Sequence, residues 1–174
     1  MAKYQARTIK SALYDKSSGA SKLLADTTSI TFPDLEMLTE TLKGAGINGE
    51  IDLPTIGQFG SLVIEVSQNG LSKDLVKTFR MKNQHLEARW ASQQLNSSTG
   101  ASEVVGKKVI FKGIPKKLAI GSIEPNKAEE ASISFEATYM KYVIGNDVMF
   151  EIDKLNDVFV VDGVDYSADV RAVL

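Results

Sequence analysis

The stretch from Ala131 to Asp153, ASISFEATYMKYVIGNDVMFEID, decides the fold. Up to Ile144 its residues alternate, with Ile133, Phe135, Ala137 and Tyr139 on one side and Ser132, Ser134, Glu136 and Thr138 on the other. A period of two marks a strand with one buried face. Gly145-Asn146 is a two-residue turn of the kind hairpins favour. Val148, Phe150 and Ile152 then oppose Met149, Glu151 and Asp153. The reading is a β-hairpin with one apolar face and one small, polar, acidic face.

Working outward, Ser61–Ser67 repeats the pattern, with Leu62, Ile64 and Val66 against Ser61, Val63, Glu65 and Ser67. Asn69-Gly70 ends that strand. Ser72 is placed to cap a helix from about Ser72 to Met81, with Asp74 in its first turn and Leu75, Val76 and Phe79 as its buried stripe. Leu86, Ala88 and Trp90 alternate with Glu87 and Arg89, predicting a strand to about Gln93, and 96–102 (NSSTGAS) reads as a turn. Glu103–Ile120 is strand-rich, with Val105, Val109 and Phe111 on one face and Pro115 marking an edge or a break. Val158–Val161, an Asp162-Gly163 turn and a short tail from Tyr166 close the chain. At the start, Arg7–Tyr14 and Lys22–Ser29 read as a hairpin turned at Ser17-Ser18-Gly19. Leu35–Lys43 reads as extended, with apolar residues on both faces. The fold class is mainly β (α+β): an antiparallel β-sandwich or partial barrel with one packed α-helix, in a single domain over residues 1–174.

Composition narrows the function classes. At 174 residues and 43% hydrophobic, the chain can build a proper core. A net charge of −2 gives no global attraction to nucleic acid or to an anionic membrane. With no Cys there is no disulfide, thiolate site or cysteine nucleophile, and the single His, His85, argues against a histidine metal site or a Ser-His-Asp triad. No run approaches the roughly 20 apolar residues that span a bilayer, so no membrane insertion is expected. The opening MAKYQARTIKSALYD lacks an apolar signal-peptide region, and synthesis in the cytoplasm is the expectation.

One motif invites a wrong turn. Gly44-Ala45-Gly46-Ile47-Asn48-Gly49 matches G-x-G-x-x-G, but a dinucleotide site needs the last glycine to open a helix that receives pyrophosphate. Here Glu50-Ile51-Asp52-Leu53-Pro54 follows, with carboxylates where phosphate would sit and a proline where the helix should grow. The bland reading is a long glycine-punctuated loop, Gly44–Gly60. Carboxylate pairs such as Glu36/Glu40 or Glu151/Asp153 lack the contrast in solvation that acid–base catalysis requires. Lys107-Lys108, Lys112 and Lys116-Lys117 form a basic region short of aromatic platforms, suited to edge protection or to contact with a neighbouring subunit.

The loop LKGAGINGEIDLP, followed by FKGIPKKLAIGSIEP, FEATYMKYVIGNDVMFEIDKLNDVFVVDGVDY and the terminal RAVL, resembles the major tail tube proteins of contractile-tailed bacteriophages, from about Leu35 to the C-terminus. The resemblance implies a virion structural protein, assembled in the host bacterial cytoplasm, with no enzymatic activity and no cofactor. It implies homohexameric rings stacked into a tube, each subunit lending strands of two hairpins to a shared β-barrel. Four strands from each of six subunits, ~4.8 Å apart and tilted ~40°, close at roughly 45 Å, wide enough for duplex DNA. The implied partners are further copies of the chain, the tail sheath protein, a baseplate or tube initiator and a tail terminator, with DNA passing through unbound. Under that reading Glu65, Glu136, Glu151 and Asp153 line an acidic lumen. Gly44, Gly46, Ile47, Gly49, Ile51, Leu53, Ile56 and Phe59 belong to an inter-ring loop whose apolar side chains have no home in a monomer. The tube of a phage-tail-like bacteriocin or secretion system is the nearest alternative. A β-sandwich carbohydrate-binding module using Trp90, Tyr139 and Tyr142 is a more remote one.

Overall fold

The architecture comes from a computed structural model and is described for residues 3–174. In chain order it comprises β1 (Lys3–Asp15), β2 (Lys22–Leu24), β3 (Thr27–Thr31), β4 (Met37–Leu42), β5 (Ile51–Phe59), β6 (Val63–Gln68), α1 (Lys73–Thr78) and β7 (Gln84–Asn96). There follow β8 (Ser102–Ala119), β9 (Ala131–Ile144), β10 (Asp147–Asp153), β11 (Val158–Val161), β12 (Val164–Asp165) and α2 (Ala168–Val173). Every strand pairing described is antiparallel. The main sheet runs β12-β11-β10-β9-β8-β7-β1-β2, with β3 and β6 attached to it through β9. The fold class read from the sequence is the one observed, and α2 adds a second short helix to the one expected.

Strand β9 organises the sheet. Its first half pairs with β6, its second half with β10, and nearly its whole length with β8 on the other side. Lys112 opposes Tyr139 while the next residue, Gly113, opposes Ala137, so Thr138 is an extra residue, a β-bulge. The bulge shifts the alternation by one. Ile133, Phe135 and Ala137 face the core before it, and Met140 does so after it. Tyr139, read from the sequence as part of the apolar side, is thereby turned to the polar side. Ile152 and Phe150 of β10 oppose Met140 and Tyr142 on the core side, which sends Glu151 and Asp153 to the side that carries Glu136.

The core gathers Leu13, Ile64, Val66, Leu86, Phe111 and Phe135 among its fully buried members. The helix α1 seats Leu75 there, and Ser72 caps it by accepting a hydrogen bond from the Leu75 amide at 3.1 Å. It stops at Thr78, earlier than expected, and Val76 faces solvent while Thr78 is buried. Thr78 satisfies its hydroxyl by donating to the Leu75 carbonyl at 2.7 Å, so a polar residue can occupy the buried position. Pro115 lies where β8 has left β7 and pairs with β9 alone, beside a register shift. A proline is tolerated there because no second neighbour needs its missing N–H.

The segment 44–60, expected to be a loop, is a loop only as far as Glu50. Ile51–Phe59 is strand, paired with β4 as a two-stranded ribbon separate from the main sheet. Phe59, expected to lack a home, is buried edge-to-face on Phe159 with ring centroids 5.0 Å apart. Phe111→Ala should lower the stability of the soluble subunit by about 3–5 kcal/mol in urea unfolding, because Phe111 is wholly buried and the surrounding strands cannot collapse on the void.

Candidate functional site

Two features of the subunit are incomplete as they stand. The first is the β4–β5 ribbon. Leu42 opposes Ile51, and Glu40 opposes Leu53, so Leu38, Leu42, Ile51 and Leu53 share a face. All four are about half exposed, at 48–56%. The other face carries Thr39, Thr41, Asp52 and Pro54, with Thr41 Oγ1 donating to Asp52 Oδ1 at 2.7 Å. An isolated two-stranded ribbon is marginal in water, and this one turns an apolar side to solvent. Its tip is the glycine motif, where Gly46 and Gly49 adopt φ of 93° and 108°, the left-handed region that glycine enters without strain. A strand follows the motif instead of a helix, so the tip offers no helix N-terminus for pyrophosphate.

The root of the ribbon is firmly held. The Gly60 amide donates to the Glu36 carbonyl at 3.0 Å, and Lys154 Nζ donates to the Gly60 carbonyl at 2.6 Å. Glu136 accepts from Ser61 Oγ at 2.6 Å and from the Leu62 amide at 2.9 Å. Partial burial pushes the Glu136 carboxyl up. The Ser61 and Leu62 donors and the nearby Lys154 and Lys116 outweigh that and hold it below the usual carboxylate range.

The second feature is an open edge. β1 pairs with β7 along its length, but on its other side only Leu13–Asp15 meets β2. Among the described residues no strand pairs with Lys3–Ala12 on that side, which makes its edge a template for another strand.

The four acidic candidates share the sheet face opposite the core. Glu65 lies across from Ser134, Glu136 from Val63, Glu151 from Lys141 and Asp153 from Tyr139. Their charges are not equally free. Glu151 accepts from Tyr139 Oη at 2.8 Å and pairs with Lys141 at 3.1 Å, while Asp153 caps a turn by accepting from the Leu155 and Asn156 amides. Burial first, then the bond to Glu151, pushes the Tyr139 phenol well above its ordinary value. Among the described residues only Glu65 of the four makes no side-chain hydrogen bond or ion pair. β8 brings Lys108, Lys112 and Lys117 to the same face, so its charge is mixed rather than uniformly acidic.

Other candidates scatter. Trp90 stacks on Tyr142 at 5.9 Å and 9°, on the core side with Phe32 and Phe150, whereas Tyr139 lies on the opposite side; the three do not form a glycan platform. Glu36 stands exposed just before β4 and Glu40 exposed within it, neither on the strand that carries Glu151 and Asp153. His85 sits half-buried in β7 opposite Lys112, and burial, Lys112 and Lys16 keep its imidazole below its usual pKa.

The alternation in β7 concealed Glu87. Read as an outward polar residue, it is 1% exposed and clasped by Lys16 and Arg89, whose guanidinium also lies 4.8 Å from the Tyr14 ring centroid. Burial raises the Glu87 carboxyl pKa, but the bonds from Lys16 and Arg89 more than reverse that.

Comparison with known proteins places this geometry in a family. The family model described as phage tail tube protein FII matches residues 17–174. The tail tube protein of Escherichia phage P2 is 27% identical over 139 residues, covering 79% of this chain and 80% of that protein. A chain in the cryo-EM structure of an extracellular contractile injection system, the PVC sheath/tube terminator in its extended state, superposes with a TM-score of 0.53 at 14% identity, covering 81% of this chain and 96% of that one. This last likeness is one of fold.

Because the Glu87 pKa is lowered on folding, its contribution to stability is present at neutral pH and is lost as pH falls through the folded-state value. Glu87→Gln should cost about 1–3 kcal/mol at pH 7, discounted because Lys16 and Arg89 are partly exposed. Urea melts of both proteins should converge as the pH is taken below the ordinary carboxylate range.

Proposed function

Since the chain belongs to the phage tail tube protein FII family, a family of structural rather than enzymatic proteins, we propose that it is the repeating subunit of the inner tube of a contractile tail, assembled as stacked homohexameric rings through which DNA passes. The observation that carries this reading is the β4–β5 ribbon, a firmly rooted, two-stranded arm with four half-exposed aliphatic side chains on one face. Burying those four against neighbours would contribute roughly 1 kcal/mol each. The free edge of β1 supports the same reading, since closing six subunits into a barrel pairs edges that a lone subunit leaves open. The tube ends would meet an initiator and a terminator, and its outer wall the sheath.

In this reading the face bearing Glu65, Glu136, Glu151 and Asp153 lines the bore. Its lysines matter as much as its acids. Lys154 and Lys116 each lie 3.7 Å from Glu136, and Lys141 is paired with Glu151, so those cations are already engaged. Free cations would bind phosphate by counterion release and paired ones weakly, so DNA is held least around Glu136 and Glu151, while Lys108, Lys112 and Lys117, unpaired among the described residues, are where the wall would drag on it.

Raising the concentration of the purified chain should yield rings or tubes by negative-stain microscopy; a monomer at all concentrations would overturn the reading. Limited proteolysis should cut the monomer between Lys43 and Glu50 and spare the assembled tube. Glu65→Lys, which breaks no described bond, should slow DNA ejection from particles carrying it, most of all at low salt; unchanged ejection would remove Glu65 from the bore.

A further inference from the structure

Two adjoining concavities of about 640 and 540 Å³ run along the sheet face opposite the core, and they share Lys108, Gly145 and Asn146. No carboxylate lines either one. Strand register sets the cations in rows. Lys10 lies opposite Ala91, which lies opposite Gly106. Two residues along, Ala12, Arg89 and Lys108 stand side by side, and beyond them His85 opposes Lys112. Ala12, Ala91 and Gly106 carry little or no side chain, which leaves the space between Lys10, Arg89 and Lys108 open. Like charges directly opposite one another are destabilising, yet Arg89 faces Lys108 and His85 faces Lys112.

This charge is not neutralised within the subunit. Glu87 is shared by Lys16 and Arg89, one carboxylate between two cations, and Lys141 is taken by Glu151. Among the described residues Lys10, Lys108 and Lys112 make no ion pair and no side-chain hydrogen bond. His85 registers the excess, because after burial it is Lys112 and Lys16 that hold its imidazole below its usual pKa. The large apolar side chains lining the concavities are buried or half-buried, so a protein partner finds no exposed apolar anchor there. Both tyrosines of the face are already covered, Tyr14 by the Arg89 guanidinium at 4.8 Å and Tyr139 by the Lys112 ammonium at 5.1 Å from the ring centroid. Nucleic-acid bases therefore have no free ring to stack on. An array of uncompensated positive charges suits a phosphate backbone and gives no base readout.

We propose that this groove is a sequence-independent contact for the phosphodiester backbone of duplex DNA, made by Lys10, Lys108 and Lys112. Lys108 and Lys112 lie about 13 Å apart along one strand, a span over which one DNA strand presents about four phosphates, so both can be engaged at once. The inference deepens the tube reading and rests on it for bringing DNA to this face. Each subunit then holds the passing duplex through a few contacts only, which keeps the hold reversible and makes it weaken as salt rises.

The test is the fluorescence anisotropy of a short labelled duplex titrated with the dilute full-length chain over a range of salt. Lys108→Gln with Lys112→Gln removes two cations without breaking a described ion pair. Losing two phosphate contacts should lower the slope of log affinity against log salt by about 1.8. Between about 50 and about 200 mM salt the unsubstituted chain should then lose roughly tenfold more affinity than the variant. Lys73→Gln with Lys82→Gln, at positions that line neither concavity, should leave the slope unchanged. AT-rich and GC-rich duplexes should bind alike. Relief of like charge should leave the urea midpoint of the Lys108/Lys112 variant unchanged or higher, which separates lost binding from lost folding. No affinity for the duplex, equal slopes for the unsubstituted chain and that variant, or a marked preference for one sequence overturns the proposal. So does a variant that binds DNA normally but no longer forms rings, which would give these cations to contact between copies. Rings or tubes without this DNA affinity would overturn the contact and keep the tube reading. DNA affinity that falls with the two lysines, in a chain that never assembles, would do the reverse.

Discussion

One extra residue in one strand governs the arrangement of side chains over the whole sheet. β9 serves β6, β10 and β8 at once, and without the Thr138 bulge its two halves would present opposite alternations to the same core. The bulge lets Ile133 and Phe135 before it and Met140 after it all point inward. It also lets Glu136 of β9 share the outer face with Glu151 and Asp153 of β10. Thr138 anchors the irregularity by donating from Oγ1 to the Lys112 carbonyl at 3.3 Å. A strand that turns corners in this way allows a small chain to enclose a core and still leave long strands projecting from it.

What projects is unfinished in a specific sense. The β4–β5 ribbon and the free edge of β1 each expose what folding ordinarily hides, apolar surface in one case and unpaired backbone in the other. The root of the ribbon shows that its exposure is not poor folding. Phe59, Glu136 and Lys154 fix it to the body with packing, hydrogen bonds and charge. A rigid root with an open apolar blade is the form expected of an element whose partner is another molecule, in keeping with membership of a family of tube subunits.

The electrostatics follow the same division. Carboxylates close to the body are consumed locally: Glu87 between Lys16 and Arg89, Glu136 at the ribbon root, Glu151 against Tyr139 and Lys141, Asp153 in its turn. The charges left over are of both signs: among the described residues Lys108, Lys112, Lys117 and Glu65 stay unpaired on the outer face and Glu40 on the ribbon, while Glu50 pairs with Lys43 at 3.5 Å. Exposed surface pairs such as Lys43–Glu50 are worth little to the stability of one subunit.

The sequence by itself determined the alternation of β6, of β9 as far as Ala137 and of β10 from Phe150 onward, the turns at Gly145-Asn146 and Asp162-Gly163, the Ser72 cap and the inward Phe111, because period, turn chemistry and capping act over a few residues; the bulges at Thr138 and Met149 put Tyr139 and Val148 on the other side. It also carried the family resemblance, through the order of its segments. Tertiary structure alone decided the rest. Whether Glu87 is solvated or clasped depends on Lys16, which lies on a distant part of the chain. The sidedness of Tyr139 depends on a bulge that exists only relative to β8. The ribbon reads as a loop because Gly44 to Gly49 and Pro54 suppress every strand signal, and only pairing with β4 stabilises Ile51–Phe59 as a strand. The lysines of β8 meet the acids of β9 and β10 only once the sheet has formed, so the charge of that face is a property of the assembled strands and of no single segment.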